Sequence, residues 1–273
     1  MSSAETAVSG ETRIGAAFDA ARSEGRAALM PYLMGGFPDE ATATAVATAY
    51  ADAGADLIEL GVPFSDPLAD GPVIHAAATR ALAAGADLDA VLRTCAAVAD
   101  RVPVVPMCYA NMVLARGAER YARELSEAGA AGTIVPDLPH EEADAVSEAL
   151  AGAGLALVPL VAPTTPAERR REICARAKGF VYVVSDTRTT GEREDVPARL
   201  RELVAAVRED AAVPAAVGFG IGTPEQAAAV GQMADGVIIG SRLVREVAEA
   251  SGADSAAKAV REFLGETLAA LKQ

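Results

Sequence analysis

Residues 132–160 read GTIVPDLPHEEADAVSEALAGAGLALVPL, and this stretch holds one complete strand–helix–strand unit. Residues 132–135 and 156–160 are aliphatic or β-branched runs, and residues 141–151 between them have the alanine-rich, amphipathic pattern of a helix. Neither run alternates apolar with polar residues, which is typical of strands in a parallel sheet covered on both faces. The unit predicts an α/β fold.

The same unit repeats along almost the whole chain. Further strands are predicted near residues 29–34, 57–60, 104–109, 179–184, 215–218 and 236–239. Helices are predicted at 39–53, 116–128, 166–176, 197–207 and 224–230, with an extra helix at 14–22 before the first strand and two, 71–84 and 88–98, between strands two and three. Eight such units predict a (β/α)8 TIM barrel. A doubly wound open sheet is the alternative, and the lack of a GxGxxG motif in the first unit disfavours it.

Composition limits the possible functions. The 273 residues are predicted to form one domain, 1–273, with residues 1–12 frayed, because no linker or charge run divides the chain. A formal net charge of −14 argues against a nucleic-acid partner. Neither a signal peptide nor a membrane span is expected from the sequence. Three widely spaced cysteines without a CxxC pair favour a reducing compartment, so a cytoplasmic location is expected.

Two carboxylates follow the second strand, in the stretch IELGVPFSDPLADGP at residues 58–72. The carboxyl ends of barrel strands face the active-site mouth. Glu59 interrupts an apolar strand just before its end, so its pKa should be raised by desolvation, as proton transfer requires. A structural hydrogen bond is the alternative for Glu59, and an N-cap of the next helix is the alternative for Asp70.

Glycines follow strands seven and eight, as GFGIGT at residues 218–223 and as Gly240-Ser241. Glycine lets backbone N–H groups approach an anion, and a helix N-terminus adds a favourable dipole. The loops after these two strands form the recurrent phosphate site of a TIM barrel. Tight turns without a ligand are the alternative. A phosphate site built from backbone N–H groups also explains how a chain with a net charge of −14 can hold a phosphate.

The stretch IELGVPFSDPLADGPVI, residues 58–74, closely resembles the signature of the tryptophan synthase alpha family. Collinear matches continue along the chain at residues 107–111, 135–139, 182–185, 190–191, 218–221 and 240–241. The resemblance implies a lyase that cleaves indole-3-glycerol phosphate into indole and glyceraldehyde 3-phosphate without a cofactor. Indole would pass to a beta subunit in an alpha2beta2 heterotetramer for tryptophan biosynthesis.

The resemblance also assigns site residues. Glu59 takes the catalytic acid/base position, Asp70 holds the indole N–H, and Tyr182 lies close to the reacting centre. The apolar slot for the ring is lined by Tyr32, Met107, Ile134 and Phe219, each equally readable as barrel core, while Thr190 reaches the second carboxylate. Phosphate contacts are assigned to Gly191, Gly220, Gly240 and Ser241. Candidates for the partner interface, on the same predicted face as Glu59 and Asp70, are Pro63, Asp66, Asn111, Asp137 and Pro139, and the alternative is that they only shape their own turns.

Residues that are missing limit the mechanism. The three lysines, Lys178, Lys258 and Lys272, do not lie at the carboxyl end of a predicted strand, so no Schiff base is expected. The two histidines, His75 and His140, have no partner for a metal site, and no metal is expected. The substrate must therefore supply its own electron sink, which a protonated indole ring does.

One departure and two other functions remain open. Arg188, in the loop after strand six, stands where the family commonly has a small residue. This departure bears on how fast that loop closes. A stand-alone lyase that releases free indole shares every catalytic residue with this interpretation. A non-catalytic activator of a beta subunit is disfavoured by the intact carboxylates and phosphate glycines.

Overall fold

The computed structural model describes residues 8–185, 197–218 and 220–272. The strands of this part of the chain form one parallel sheet. They are β1 Ala28–Met34, β2 Ile58–Gly61, β3 Val104–Met107, β4 Gly132–Ile134, β5 Ala156–Val158, β6 Leu160–Val161, β7 Val181–Val184, β8 Ala215–Gly218 and β9 Gly236–Ile239. Strand β1 lies between β2 and β9, so the sheet has no edge there.

The sheet closes through the fifth predicted strand, which is split at Pro159. Its first half, β5, pairs with β4, and its second half, β6, pairs with β7. Proline has no backbone N–H to donate, but the Pro159 carbonyl accepts from the N–H of Tyr182 at 2.9 Å. Strands β5 and β6 are therefore two halves of one barrel strand. The predicted eight-strand TIM barrel is confirmed, and the open doubly wound sheet is wrong.

Helices follow the strands around the barrel. They are α1 Gly10–Ser23, α2 Glu40–Asp52, α3 Pro72–Ala83, α4 Leu88–Ala96, α5 Ala110–Arg116, α6 Ala118–Glu127, α7 Asp144–Gly152, α8 Ala167–Arg176, α9 Ala198–Asp210, α10 Pro224–Gly231, α11 Ser241–Glu249 and α12 Ala253–Leu271, with a 3₁₀ turn at His140–Glu142. Both additions to the repeat are confirmed, since α1 precedes β1 and both α3 and α4 separate β2 from β3. None of the described helices is long and apolar enough to cross a bilayer.

The helix predicted at 116–128 is α6, Ala118–Glu127, and the short helix α5 before it was not predicted. Gly117 has a φ of 87°, which ends α5 after Arg116 before α6 begins at Ala118. A glycine adopts this backbone conformation without the steric cost that other residues meet. The third strand also ends at Met107 instead of residue 109, because Tyr109 is already the N-cap of α5.

The barrel interior is apolar from its floor to its mouth. Its floor is helix α1, whose Ile14 and Phe18 join the cluster of inward-facing strand residues. The rings of Phe18 and Phe180 lie 5.8 Å apart between their centroids. Helix α1 therefore packs against the end of the barrel opposite to the one where the strands finish.

Helix α1 is anchored at its first residue. The N–H of Gly10 donates to the carbonyl of Gly154 at 2.8 Å, and a Cβ at position 10 would lie 1.9 Å from the carbonyl oxygen of Ala131. The hydroxyl of Ser9 caps the helix by accepting from the N–H of Thr12 at 3.2 Å. The predicted fraying is therefore wrong for residues 10–12, while residues 1–7 lie outside the described part.

We expect Gly10→Ala to destabilise the protein by about 1–3 kcal/mol, since the new methyl group collides with backbone that has no room to move. Gly15→Ala in the same helix is the matched control, because its Cβ meets no atom within 4 Å. That change should be neutral or stabilise by up to ~1 kcal/mol. Urea unfolding measures both, and equal free energies of unfolding for the two variants would contradict the close contact at Gly10.

Candidate active site

Glu59 occupies the upper part of the barrel interior. It lies on β2 in register with Tyr32 on β1 and Val105 on β3. Val105 belongs to the inward-facing cluster, and so does Leu57, which lies two residues before Glu59. Because side chains alternate between the two faces of a strand, Glu59 points inward as well. Only 2% of Glu59 is exposed. The apolar interior thus encloses an ionisable carboxyl group at its mouth.

The environment of Glu59 favours its protonated form. Burial, followed by the nearby charge of Asp70, raises the pKa of Glu59 to about 8. Its Oε2 atom is buried and has no hydrogen-bond partner in the described part of the chain. This argues against the alternative of a glutamate held by a structural hydrogen bond. At neutral pH the group is a buried acid with a proton to donate.

Asp70 ends the loop between β2 and α3 and is half-buried. Burial raises its pKa, while a hydrogen bond from Tyr109 and the charge of His75 act in the opposite direction. The N-cap of α3 is Gly71, so the alternative of Asp70 as the helix cap is wrong. Asp70 and Glu59 interact electrostatically, which places the two predicted carboxylates at the same mouth.

Two tyrosines complete the inner wall. Tyr32 lies across Gly61 on the next strand, where a Cβ would be 2.0 Å from the tyrosine hydroxyl oxygen. Tyr182 lies across Gly218 in the same way, with a corresponding distance of 2.3 Å. Burial, and then the charges of Glu59 and Asp70, raise the pKa of both tyrosines far above the usual range. Both tyrosines are therefore close enough to the carboxyl pair to interact with it electrostatically.

The other residues predicted to line the slot are only partly described. Met107 is half-buried and pairs with Ile134, which is fully buried in the barrel interior. The two side chains therefore lie at the same level of the barrel, and Met107 is the more exposed of them. Thr190, Gly191 and Phe219 lie outside the described residues, as does Arg188.

The two predicted phosphate loops differ in how their helices begin. At α10, Gln226 accepts from the N–H groups of Gly222 and Thr223 at 2.7 and 3.2 Å, and the hydroxyl of Thr223 caps the helix in return. At α11, no side chain among the described residues caps the first turn, which begins after Gly240. The atoms nearest to a Cβ at Gly240 would belong to Tyr32, the first at 3.7 Å. Of these two helix starts, the one without a side-chain cap among the described residues is that of α11.

The residues predicted at the partner interface lie around the rim, but not all are on the surface. Pro63 is buried, and Asp137 accepts from the N–H of Ala110 at 2.7 Å. Asp66, Asn111 and Pro139 are exposed. Two apolar side chains on the same rim were not predicted: Leu68 is 87% exposed and Leu114 on α5 is 65% exposed. Exposure of that kind is not visible in a sequence, where both leucines read as ordinary core.

A closed parallel barrel with a buried acid and a second carboxyl at its mouth is the arrangement of a TIM-barrel enzyme. The model of the tryptophan synthase alpha chain family matches residues 18–272. The alpha chain of Synechococcus sp. (strain CC9902) is 48% identical over 245 residues, which cover 89% of this chain and 91% of that protein. That of Phenylobacterium zucineum is 46% identical over 92% of this chain and 96% of its own length.

A solved structure of Mycobacterium tuberculosis tryptophan synthase gives a TM-score of 0.88 at 38% identity, over 96% of this chain and 98% of that chain. The chain belongs to the tryptophan synthase alpha chain family. Members of this family are lyases that cleave indole-3-glycerol phosphate. The predicted family, fold and activity are therefore confirmed.

We expect the stability of the protein to record the raised pKa of Glu59. Between pH 4.5 and about 8 the unfolded carboxyl loses its proton while the folded one keeps it. The free energy of unfolding should therefore fall as pH rises, by about 1.4 kcal/mol per pH unit from this group. Glu59→Gln does not titrate, so the variant should gain on the wild type as the pH is raised.

Urea unfolding at pH 5, 6, 7 and 8 measures this difference. Glu127→Gln is the control, since Glu127 is an exposed residue in a surface ion pair with Arg123. Its difference from the wild type should stay nearly constant with pH. A constant difference for Glu59→Gln as well would contradict the raised pKa.

Proposed function

We propose that this chain cleaves indole-3-glycerol phosphate by a cofactor-free retro-aldol reaction, in which Glu59 transfers the protons and Asp70 holds the indole ring. The observation that supports it most is the carboxyl of Glu59, buried at the mouth with one oxygen free of partners among the described residues. A buried acid without a partner is costly to retain, and proton transfer gives it a purpose.

The first step protonates the ring. Glu59, protonated at neutral pH because its pKa is about 8, donates its proton to C3 of the indole. The ring becomes an indolium ion with positive charge at its nitrogen. The ionised carboxylate of Asp70 accepts a hydrogen bond from the ring N–H and stabilises this charge within a poorly solvated mouth. The two carboxyl groups thus act in opposite protonation states.

The second step breaks the carbon–carbon bond. Glu59, now ionised, takes the proton from the hydroxyl on the glycerol carbon joined to C3. That carbon forms its carbonyl, and the electrons of the broken bond return to the ring and neutralise the indolium ion. Indole and glyceraldehyde 3-phosphate are released, and Glu59 has regained its proton. Every atom and electron is accounted for without a cofactor or metal.

The phosphate of the substrate binds at the start of α11 in this proposal. Gly240 and Ser241 begin a helix whose first N–H groups have no side-chain cap among the described residues, and Gly220 lies on the neighbouring loop. An uncapped helix N-terminus is a ready anion site, because its N–H groups and its dipole both favour negative charge. Gly191 remains a predicted phosphate contact.

We further propose that the rim docks on a beta subunit, as an alpha2beta2 heterotetramer in the cytoplasm. Leu68 and Leu114 expose apolar side chains around the mouth, beside the exposed Asp66, Asn111 and Pro139. Apolar side chains surrounded by polar residues are typical of a protein–protein interface. Docking there lets indole pass to a second active site. A stand-alone lyase would show full activity without a partner.

Glu59→Gln should lower the rate of indole release by ~10²–10⁴-fold while substrate affinity changes little, because the amide keeps the shape of the side chain but transfers no proton. Asp70→Asn should also lose activity, through the missing charge at the ring nitrogen. Single-turnover indole release and equilibrium binding measure the two effects. Wild-type turnover in Glu59→Gln would rule out its role.

Leu114→Asp should weaken activation by a cognate beta subunit, because it places a charge in the centre of an apolar contact, while the basal rate of the isolated chain stays close to wild type. Leu82→Asp is the matched control, since Leu82 is a partly exposed leucine (37%) near the end of α3. Titration of indole release against the beta subunit measures activation. Equal loss of activation in both variants would argue against docking at this rim.

A further inference from the structure

The loop that carries Asp70 is held by one side chain. Tyr109, at the end of the third barrel strand, stacks its ring on Phe64 with centroids 5.2 Å apart and an interplanar angle of 29°. Its hydroxyl accepts a hydrogen bond from the N–H of Ala69 at 3.1 Å. Tyr109 therefore contacts both ends of residues 64–69, and its second contact lies immediately before Asp70.

Little else in the described part of the chain holds this loop. The hydroxyl of Ser65 donates to the carboxylate of Asp66 at 2.5 Å, which is a contact within the loop itself. The backbone hydrogen bond from Val62 to Met107 at 2.8 Å precedes it, and the one from His75 to Gly71 follows it. Leu68 extends into solvent. The position of Asp70 therefore depends on Tyr109.

Tyr109 is itself fixed on both sides. The N–H of Cys108 donates to the carbonyl of Ile134 at 2.9 Å, and the N–H of Ala110 donates to the carboxylate of Asp137 at 2.7 Å. Both acceptors lie at the end of the neighbouring strand β4 and in the loop after it. The side chain of Tyr109 is 3% exposed. A buried ring on a fixed backbone is a rigid support, which a site residue on a mobile loop requires.

We propose that Tyr109 is the positioning residue of Asp70: its ring and its hydroxyl hold residues 64–69 so that the Asp70 carboxylate faces the indole N–H. This inference rests on the proposed role of Asp70. Tyr109, which is not one of the two carboxyl residues, keeps the carboxylate of Asp70 in place and ionised. Removing the hydroxyl alone should then impair the reaction while the barrel stays intact.

The pH dependence of the reaction separates positioning from general stability. The groups that face Asp70 among the described residues are Glu59, Tyr32, Tyr182, Tyr109 and His75. Of these, the Tyr109 hydroxyl and the His75 charge lower the pKa of Asp70 against the effect of burial. Loss of the hydroxyl raises the pKa of Asp70, so the acid limb of kcat/KM moves to higher pH. The base limb, set by Glu59 near pH 8, stays in place.

Indole release by the full chain tests this inference with four variants. Tyr109→Phe should lower kcat about tenfold or more with little change in KM, and should move only the acid limb. Phe64→Leu, which removes the stack but keeps the hydroxyl, should lower kcat less and leave the acid limb unmoved. Tyr121→Phe is the matched control, since its buried hydroxyl forms a 2.8 Å hydrogen bond with the hydroxyl of Thr133 and not with the loop that carries Asp70. It should leave both limbs unmoved.

Asp70→Asn keeps the two proposals distinguishable. If Asp70→Asn is inactive but Tyr109→Phe has wild-type kcat and an unmoved acid limb, the inference about Tyr109 is overturned alone. Equal losses in Tyr109→Phe and Tyr121→Phe, with both limbs unmoved, would overturn it too, because the effect would then be structural. If Asp70→Asn retains full activity, the proposed role of Asp70 falls and takes the inference with it.

Discussion

A carboxyl group removed from water is the constraint on which the rest of this structure depends. Glu59 is an ionisable residue in an interior built mainly from aliphatic and aromatic side chains, and it is 2% exposed. The apolar strands below it and the helix α1 under the barrel exclude water from beneath. Because the carboxyl group is removed from water in this way, its protonated form is favoured. The parallel barrel thus prepares the acid by its packing alone.

The second carboxyl gains its properties from different neighbours. Asp70 lies on a half-exposed loop where Tyr109 and His75 oppose the effect of burial on its pKa. Its charge in turn raises the pKa of Glu59. The two carboxyl groups at one mouth therefore have different surroundings, because one is on a buried strand and the other on a loop. The proposed division of roles between a neutral and an ionised carboxyl recurs in other enzymes.

Much of this arrangement was predictable from the sequence, because it depends on local patterns. Apolar runs gave the strands, and an acidic residue inside one of them marked Glu59. Other features arise from contacts between distant segments. Gly61 and Gly218 are needed because tyrosines on neighbouring strands lie across them. Tyr109 holds a loop 40 residues earlier in the chain. Neither relation leaves a periodic signal.

The positions of Gly117 and Pro159 show why the bounds of elements were harder to predict. Gly117 separates α5, which was not predicted, from α6, and Pro159 divides one predicted strand between two neighbours. Both residues are visible in the sequence, but each has several possible effects. Which effect occurs depends on tertiary packing, such as the hydrogen bond between Pro159 and Tyr182. The residue type alone leaves the outcome open.

The anchoring of α1 has a consequence for how the chain folds during synthesis. This helix precedes β1, yet Gly10 bonds Gly154 and the guanidinium of Arg13 donates to the carbonyl of Gly129, 116 residues later. Its Phe18 contacts Phe180. The helix therefore leaves the ribosome long before its binding surface exists, and its apolar face must wait exposed. Such distant contacts slow folding and leave an early segment open to misassociation. The barrel floor is the first part made and one of the last to close.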